Sequence, residues 1–412
     1  LAQCEFRHNR FETDASGHPQ RSRFYVSGHL NNSLRPARAI LEGELIVDWV
    51  PAPTRDALPS VKRIDASRLI LKTRNGEPAF RQVLLESIAP LPRSYFIDPL
   101  ILYDLDGDGL SEIILAAKNL VIRRRDGDRF ESGTLCRHSP GLIFTGLIGD
   151  FDGDGAGDFL CAKFEGVALF KGSPQGTFDQ PGRPVWEVNP HLKYAQALTC
   201  GDIDGDGDLD LWLGQYKVPY ERGQMPTPYY DANDGNPSYL LLNDGRGNFS
   251  DATEAAGLGL KRWRRSYTGS FVDLNDDGHL DLVAVSDFAG LDLYTNDGRG
   301  HFTDVTQNWV AEPHAFGMAH ALADLNVDGR LDMLMIGMNS PTADRLGHLG
   351  LERPGHSHFQ PMRSLMAFGN RLYLAQPEAP HFRQTPLNES IARSGWSWGC
   401  SAFDFDNDGF PD

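Results

Sequence analysis

Apolar and polar residues alternate along this chain in many short runs. Residues 280–285 read LDLVAV, and residues 331–336 read LDMLMI. Alternation with a period of two puts successive side chains on opposite faces of a sheet. Clusters rich in Gly, Asn and Asp separate the runs. The pattern therefore predicts an all-β protein whose short strands are joined by tight turns.

A nine-residue acidic pattern recurs six times between the predicted strands. It reads acid-x-acid/Asn-x-acid-Gly-x-x-acid, and we name its copies loops one to six. Side chains at alternate positions of a tight loop can converge on one cation, and calcium prefers oxygen ligands. We therefore predict up to six structural calcium ions, with solvated acidic turns as the alternative. The predicted ligands are Asp104, Asp106, Asp108 and Glu112; Asp150, Asp152, Asp154 and Asp158; Asp202, Asp204, Asp206 and Asp210; Asp273, Asn275, Asp277 and Asp281; Asp324, Asn326, Asp328 and Asp332; and Asp404, Asp406, Asp408 and Asp412.

The residues that follow these loops exclude helical calcium hands. An EF-hand loop needs an acid at its twelfth position, between two helices. In loops one to five that position holds a residue without a carboxylate, namely Leu115, Cys161, Leu213, Ala284 and Met335. The flanking residues alternate as strands do, so the loops connect strands.

A second repeat lies between the acidic loops. Residues 240–249 read LLLNDGRGNF, and residues 293–302 read LYTNDGRGHF. Asp-Gly between apolar runs predicts a β-hairpin. We expect the closing Phe to pack between neighbouring sheets. Degenerate copies end at Phe80, Phe130, Phe178 and Phe382.

The two repeats together predict units of four strands, which is typical of a β-propeller. We expect a seven-bladed β-propeller over residues 40–412, after an N-terminal extension of residues 1–39. The first blade, residues 40–85, has no acidic loop. The last blade is incomplete at Asp412, so we expect the protein to continue beyond this residue.

The repeats resemble the FG-GAP/VCBS repeats of integrin alpha-subunit propellers. They are most similar to those of the cartilage acidic protein (ASPIC/UnbV) family, which the GWSWG segment at residues 395–399, before loop six, also resembles. The resemblance covers about residues 100–412. It implies calcium binding, adhesion or complex formation, and a location that is extracellular, on the cell surface or periplasmic. It implies no known reaction.

Composition narrows the classes of function. The net charge of −17 argues against nonspecific nucleic-acid binding, because phosphates would be repelled. No apolar run is long enough to predict a transmembrane segment. The start, Leu1-Ala2-Gln3-Cys4, resembles the lipobox of bacterial lipoproteins and suggests a lipid anchor at Cys4, with an ordinary cysteine as the alternative. For Cys161 and Cys200 we favour two buried thiols over a disulfide.

Three long insertions, residues 215–237, 254–266 and 338–370, are predicted on the face opposite the acidic loops. Long loops on a rigid scaffold commonly bind partners. Tyr, Trp and Arg are enriched at interface hot spots. The alternative is that these loops pack on one another. The predicted partner-binding residues are Tyr229, Tyr230, Trp263, Arg264, Arg265, Arg345 and Arg353.

The sequence therefore favours a non-catalytic, calcium-stabilised propeller that binds a protein or glycan as an adhesion module. One alternative is a calcium-dependent carbohydrate-active enzyme, such as a lyase; another is a structural subunit of a larger assembly. No residue stands out as a catalytic base or nucleophile. Five histidines suggest a transition-metal site, but ordinary loop histidines are favoured; these are His314, His320, His348, His356 and His358.

Overall fold

The computed structural model divides the chain into two compact units, Leu1–Leu85 and Glu86–Asp412. Each unit is described by itself below. The described residues are 3–31, 37–50, 58–76, 80–89, 99–125, 127–219, 226, 228–351, 360–379, 381–387, 391–392, 397–405 and 408–411.

The first unit contains one meander of four long antiparallel strands. The predicted boundary after residue 39 falls within its third strand, whose pairing with the fourth begins at Ala37 and Asn75. Residues on both sides of this boundary therefore lie in the same sheet, because one continuous strand crosses it. Phe80 is 66% exposed and does not pack between sheets as predicted. The strands are β1 (Gln3–Thr13), β2 (Pro19–Asn31), β3 (Ala37–Val50) and β4 (Ser60–Asn75).

The second unit contains five four-stranded antiparallel meanders, which we name sheets I to V. In each sheet the acidic loop joins the first two strands, as predicted. The described residues hold five such sheets in this unit, and the predicted count of seven blades is not confirmed. The strands are β5 (Leu100–Tyr103), β6 (Glu112–Leu115), β7 (Leu120–Arg124) and β8 (Phe130–Thr134) in sheet I; β9 (Thr145–Gly149), β10 (Asp158–Ala162), β11 (Gly166–Phe170) and β12 (Arg183–Glu187) in sheet II; β13 (Ala197–Gly201), β14 (Asp210–Gly214), β15 (Tyr239–Asn243) and β16 (Phe249–Asp251) in sheet III; β17 (Arg265–Val272), β18 (Asp281–Asp287), β19 (Gly290–Asn296) and β20 (Phe302–Asp304) in sheet IV; and β21 (Gly317–Ala323), β22 (Asp332–Gly337), β23 (Arg371–Ala375) and β24 (Phe382–Gln384) in sheet V.

The second strand of an inner sheet packs against two neighbouring sheets at once. On β10, Phe159 lies in the core shared with sheet I, and the next residue, Leu160, lies in the core shared with sheet III. On β14, Leu211 and Trp212 divide in the same way between sheets II and IV. Because both faces are covered, these strands are apolar throughout rather than on one face. The predicted role of the closing Phe is confirmed for four copies, which are Phe178, Phe249, Phe302 and Phe382.

The insertion at residues 338–370 contains helices that the loop prediction missed. The side chain of Ser340 caps the first of them by accepting from the amide of Ala343 at 3.3 Å. This Ser-Pro start is a helix signal that sequence analysis could have used. These helices are α2 (Pro341–His348) and α3 (Gln360–Met366), and the described residues also contain a short helix before the insertion, α1 (Thr306–Trp309).

Candidate metal loops and the opposite ends of the sheets

All six acidic loops share one hydrogen bond between their first Asp and the Gly at the sixth position. The first Asp accepts a hydrogen bond through Oδ2 from the amide of the Gly at the sixth position, at 2.7 to 3.0 Å. That Gly has a φ of +84 to +93° in every loop, a region that other residues rarely adopt. The recurring Gly is therefore required by the turn, and the turn directs the alternate side chains to one side.

Besides its predicted role as a metal ligand, the closing acid has a structural role in the fold. It is buried in loops one to five. In loop three, Asp210 Oδ2 accepts from the Ile203 amide at 3.3 Å, and Oδ1 accepts from the Asn243 amide at 2.8 Å. Asp158, Asp281 and Asp332 each bond in the same way to their own loop and to the end of the third strand. The closing carboxylate thus ties the acidic loop to the neighbouring strand.

Carboxylate oxygens converge in loops one to three. The groups whose oxygens lie within 4.8 Å of one another are Asp104, Asp106 and Asp108; Asp150, Asp152 and Asp158; and Asp202, Asp204 and Asp206. One buried oxygen of the third-position Asp has no hydrogen-bond partner in each loop, namely Asp106 Oδ1, Asp152 Oδ1 and Asp204 Oδ1. An unpaired buried carboxylate oxygen is costly, and a bound cation would satisfy it. These residues therefore fit a hard divalent cation.

The remaining loops offer a weaker version of this arrangement. In loop four, the Asn275 amide donates to Asp277 Oδ2 at 2.8 Å; in loop five, the Asn326 amide donates to Asp328 Oδ2 at 3.1 Å. These bonds offset part of the carboxylate repulsion. In loop six, Asp404 accepts from the amides of Asp408 and Gly409, as the first Asp does in loops one, two, four and five. The predicted ligands Asp406 and Asp412 lie outside the described residues.

Burial makes the closing carboxylates of loops three and four unfavourable as bare anions. Burial, together with the nearby carboxylates of Asp204 and Asp206, raises the pKa of Asp210 to about 7. Burial likewise raises the pKa of Asp281 to about 6. A cation in the loop would reverse both effects, because it favours the ionised form.

Asparagines of the hairpin repeat connect neighbouring sheets, a role that sequence analysis missed. Asn243 Nδ2 donates to the Phe151 carbonyl in loop two at 2.9 Å. Asn296 Nδ2 donates to the Ile203 carbonyl in loop three at 2.7 Å. Each hairpin thereby holds the acidic loop of the preceding sheet. The available signal was the Asn that precedes Asp-Gly in both clean copies of the repeat.

At the opposite ends of the sheets, the basic segment 261–265 is largely internal. Arg264 is 7% exposed and pairs with Asp292 at 3.1 Å and with Asp231 at 2.7 Å. Lys261 pairs with Asp292 at 2.6 Å and with Asp304 at 2.7 Å. The prediction that Arg264 binds a partner is therefore corrected, because its guanidinium is already occupied by carboxylates within the fold.

The same correction applies to Arg265, which is 2% exposed. Its Nε and Nη2 donate to the two carboxylate oxygens of Asp234 at 3.0 Å each. This fork is the strongest common geometry for an arginine–carboxylate pair. The adjacent Trp263 is 46% exposed, so the two arginines hold a short segment that presents an indole to solvent.

The other predicted binding residues divide between packed and exposed positions. Tyr229 and Tyr230 are partly buried and pack on Phe288 and Phe316, so the insertions lie against one another there. Arg345 is exposed on α2. Arg353 lies outside the described residues.

A tyrosine pair covers a buried carboxylate at the same end of sheets III and IV. The rings of Tyr216 and Tyr267 stack with centroids 4.3 Å apart. The Tyr216 hydroxyl donates to Asp287 Oδ2 at 3.1 Å, and burial raises the pKa of Asp287 from its ordinary 3.8 to about 6. The folded protein therefore retains a proton here that the unfolded chain releases between about pH 4 and pH 6.

This difference predicts a pH effect on stability. The proton on Asp287 contributes to the free energy of unfolding below about pH 4, and this contribution is lost as the pH rises through about 6. We expect Asp287→Asn to raise the unfolding free energy at neutral pH by ~2 kcal/mol and to flatten its pH dependence. Urea denaturation at acidic and neutral pH measures both. The exposed Glu165→Gln control should change stability by less than ~0.5 kcal/mol, and destabilisation by Asp287→Asn at neutral pH would contradict the prediction.

Histidines and cysteines add no further cluster. No histidine joins a metal-ligand group in the part of the chain that the structure describes; His320 bonds to Ser270 Oγ at 2.8 Å. His356 and His358, and the side chain of His348, are outside that part. All five cysteines are free thiols, with Cys161 buried and Cys200 partly buried. Cys4 is exposed on β1, and the lipid anchor stays a prediction.

Among the described residues, no helix has the length and apolar character needed to cross a bilayer. A family model for the FG-GAP-like repeat matches residues 150–213 and 273–335. These segments contain loops two to five.

Two curated relatives are similar to this chain in sequence. Integrin alpha-5 of Xenopus laevis is 29% identical, over 30% of this chain and 15% of that protein. Cartilage acidic protein 1 of Mus musculus is 24% identical, over 65% of this chain and 45% of that protein. The chain thus spans less than half the length of either relative.

Among solved structures, a lectin of Agrocybe aegerita that recognises non-reducing terminal N-acetylglucosamine superposes with a TM-score of 0.45 at 15% identity, covering 91% of this chain and 82% of that one. A TM-score this low does not establish a shared fold. The family-model match and the shared turn of the acidic loops indicate the same repeat, because the matched residues contain loops two to five. The chain therefore contains FG-GAP-like repeats, and it is similar in sequence to integrin alpha-5 and cartilage acidic protein 1.

Proposed function

We propose that this protein is an extracytoplasmic, calcium-stabilised module that binds a protein or glycan partner. The observation that carries the calcium part is the unpaired, buried oxygen of Asp106, Asp152 and Asp204, each beside converging carboxylates. The names of the related proteins, an integrin subunit and a cartilage protein, support an adhesion-type role outside the cytoplasm.

The donor set favours calcium over softer metals. The three converging groups consist of aspartate oxygens alone, without thiol or imidazole. Oxygen-only sets suit calcium, magnesium and manganese, and an irregular loop with many ligands suits calcium best. Loops one to three are the best supported sites, and loops four to six have the same backbone turn.

The location follows from the kind of site. Calcium-binding modules outside the cell have dissociation constants of about 10⁻⁴ to 10⁻³ M, which cytosolic calcium would leave empty. Repeated exposed acidic loops match this class better than the class of tight cytosolic buffers. Titration of the purified protein with calcium, followed by calorimetry, tests the proposal directly. Absence of binding at millimolar calcium would refute the calcium part.

The recognition part centres on Trp263. This side chain is 46% exposed, and its backbone is held on both sides because the Trp263 carbonyl accepts from the Gly235 amide and the following Arg264 is paired internally. A large aromatic side chain on a rigid segment loses little entropy on binding, which is why such residues serve as anchors. The exposed Arg345 is a weaker candidate.

We expect Trp263→Ala to weaken partner binding by about 2 kcal/mol, if the indole is an anchor of the interface. The partner is first selected on a glycan array and by pull-down from the native source, and its affinity is then measured by biolayer interferometry. Melting temperature and calcium stoichiometry should stay unchanged. Arg246→Ala, an exposed residue of the hairpin at the acidic-loop end, is the control. Loss of binding in the control but not in Trp263→Ala would place recognition at the other end.

A further inference from the structure

A lysine reaches into loop two. Lys171 Nζ lies 2.7 Å from Asp154 Oδ2 and makes a closer contact with Asp152 Oδ2. The other oxygen of Asp152 is buried and has no hydrogen-bond partner. An ammonium group therefore occupies part of the carboxylate cluster, on the same residue whose second oxygen would bind a metal.

The position of this lysine is set by the strand register. In sheets II to V, the amide at the end of the third strand donates to the closing Asp of the acidic loop, and this amide belongs to Gly172, Asn243, Asn296 and Ala375. The residue before it occupies the same register position in each sheet. That residue is Lys171, Leu242, Thr295 and Leu374. Of these four register positions, only the one in sheet II carries a positive charge.

We propose that Lys171 is a tethered counter-ion that competes with the divalent cation for loop two. This inference rests on the proposed calcium binding, and it makes loop two a weaker site than loop three. It also makes loop two the one that keeps its conformation when calcium is removed.

The chemistry of an ammonium group supports competition rather than cooperation. Lys171 carries a compact point charge with three donors and no acceptor, so it can neutralise carboxylates but cannot complete a metal's oxygen shell. A divalent cation at Asp152 would face electrostatic repulsion from it. The side chain is 48% exposed, so it can leave the loop for solvent when a cation enters. Entry of the cation is opposed by the loss of this ion pair.

Two reciprocal variants test the inference. Lys171→Leu installs the residue that sheets III and V already have at this position, and Leu242→Lys moves the ammonium to loop three. We expect Lys171→Leu to tighten one calcium site about tenfold and Leu242→Lys to weaken one site about tenfold. Electrostatic repulsion between unit charges a few ångströms apart near a surface is large enough to cause a change of this size. Calorimetric titration with calcium chloride measures both. Lys163→Leu, in the turn between β10 and β11, is the control and should change neither.

Hydrogen exchange of residues 150–158 locates the effect. In wild-type protein, chelation should leave the amides of loop two protected while those of loop three exchange faster. In Lys171→Leu, the amides of loop two should lose protection on chelation as well. Equal exchange of loops two and three in chelated wild-type protein would overturn the inference.

The outcomes separate this inference from the proposed function. If wild-type protein binds no calcium, the proposed calcium sites fail and Lys171 is the permanent counter-ion of loop two. If wild-type protein binds calcium but Lys171→Leu leaves all affinities unchanged or weakens them, only the competition is wrong. If Lys171→Leu does not fold, Leu242→Lys decides: unchanged calcium affinity in that variant contradicts the inference.

Discussion

Chelation of calcium should lower the melting temperature of this protein by on the order of 10 °C. A site that binds only in the folded state adds about 2.7 kcal/mol when calcium is about a hundred times its dissociation constant. Loops one to three each hold converging carboxylates, so their contributions add. Without the cation, these carboxylates repel one another at close range. Differential scanning calorimetry with calcium and with EGTA measures the difference.

The control for this experiment is the return of the cation. Calcium added in excess of EGTA should restore the original melting temperature, and magnesium should restore less because it dehydrates reluctantly and needs a near-octahedral shell. A melting curve that is the same with calcium and with EGTA would show that the loops do not depend on a metal for their stability.

The second large effect is expected at the buried ionic cluster between sheets III and IV. Asp292 is 3% exposed and accepts from both Lys261 and Arg264. Its removal leaves the buried Arg264 and the half-buried Lys261 without their shared carboxylate, which is far more costly than the loss of an exposed pair. We expect Asp292→Ala to lower the unfolding free energy by about 3–5 kcal/mol. Urea denaturation in saturating calcium measures this loss apart from metal effects.

An ion pair whose carboxylate is exposed to solvent provides the matched control on the same segment. Arg262 pairs with Glu254 at 2.9 Å, and the Glu254 side chain is 72% exposed. Because solvent screens this pair, Glu254→Ala should cost less than about 1 kcal/mol. A similar loss for the two variants would mean that the cluster at Asp292 is no more important than a surface pair, contrary to the geometry.

Local interactions explain what the sequence could predict. The acidic loop is a nine-residue structure in which Asp104 bonds to the amides of Asp108 and Gly109 nearby, so its pattern is visible in any window that contains it. The turn requires Gly at the sixth position because φ is positive there, and the Asp-Gly pair indicates the hairpin. The packing of Phe249 and Phe302 between sheets follows from their place after the hairpin. These features recur along the chain, and their repetition made them recognisable in the sequence.

Ion pairs between residues that are far apart in the sequence explain what the sequence did not predict. The segment 261–265 reads as a basic patch, but Arg264 and Arg265 find carboxylates on residues 231, 234 and 292. Nothing local shows whether a basic residue faces solvent or a buried acid. For the same reason Lys171 gave no signal, since its partners at positions 152 and 154 lie outside its local sequence window, 19 residues away in the case of Asp152.

The sequence by itself determined the all-β class, the four-stranded unit and the position of the acidic loops, because alternation, tight turns and hydrogen bonds within the loops are all local features of the chain. Only the tertiary structure decided the role of the closing acid, which is buried and braces the loop against a strand about 14 to 43 residues away. It also decided which basic residues are internal, and it joined residues on both sides of position 40 in one sheet. Burial and pairing depend on neighbouring sheets, and therefore on contacts that no local pattern contains.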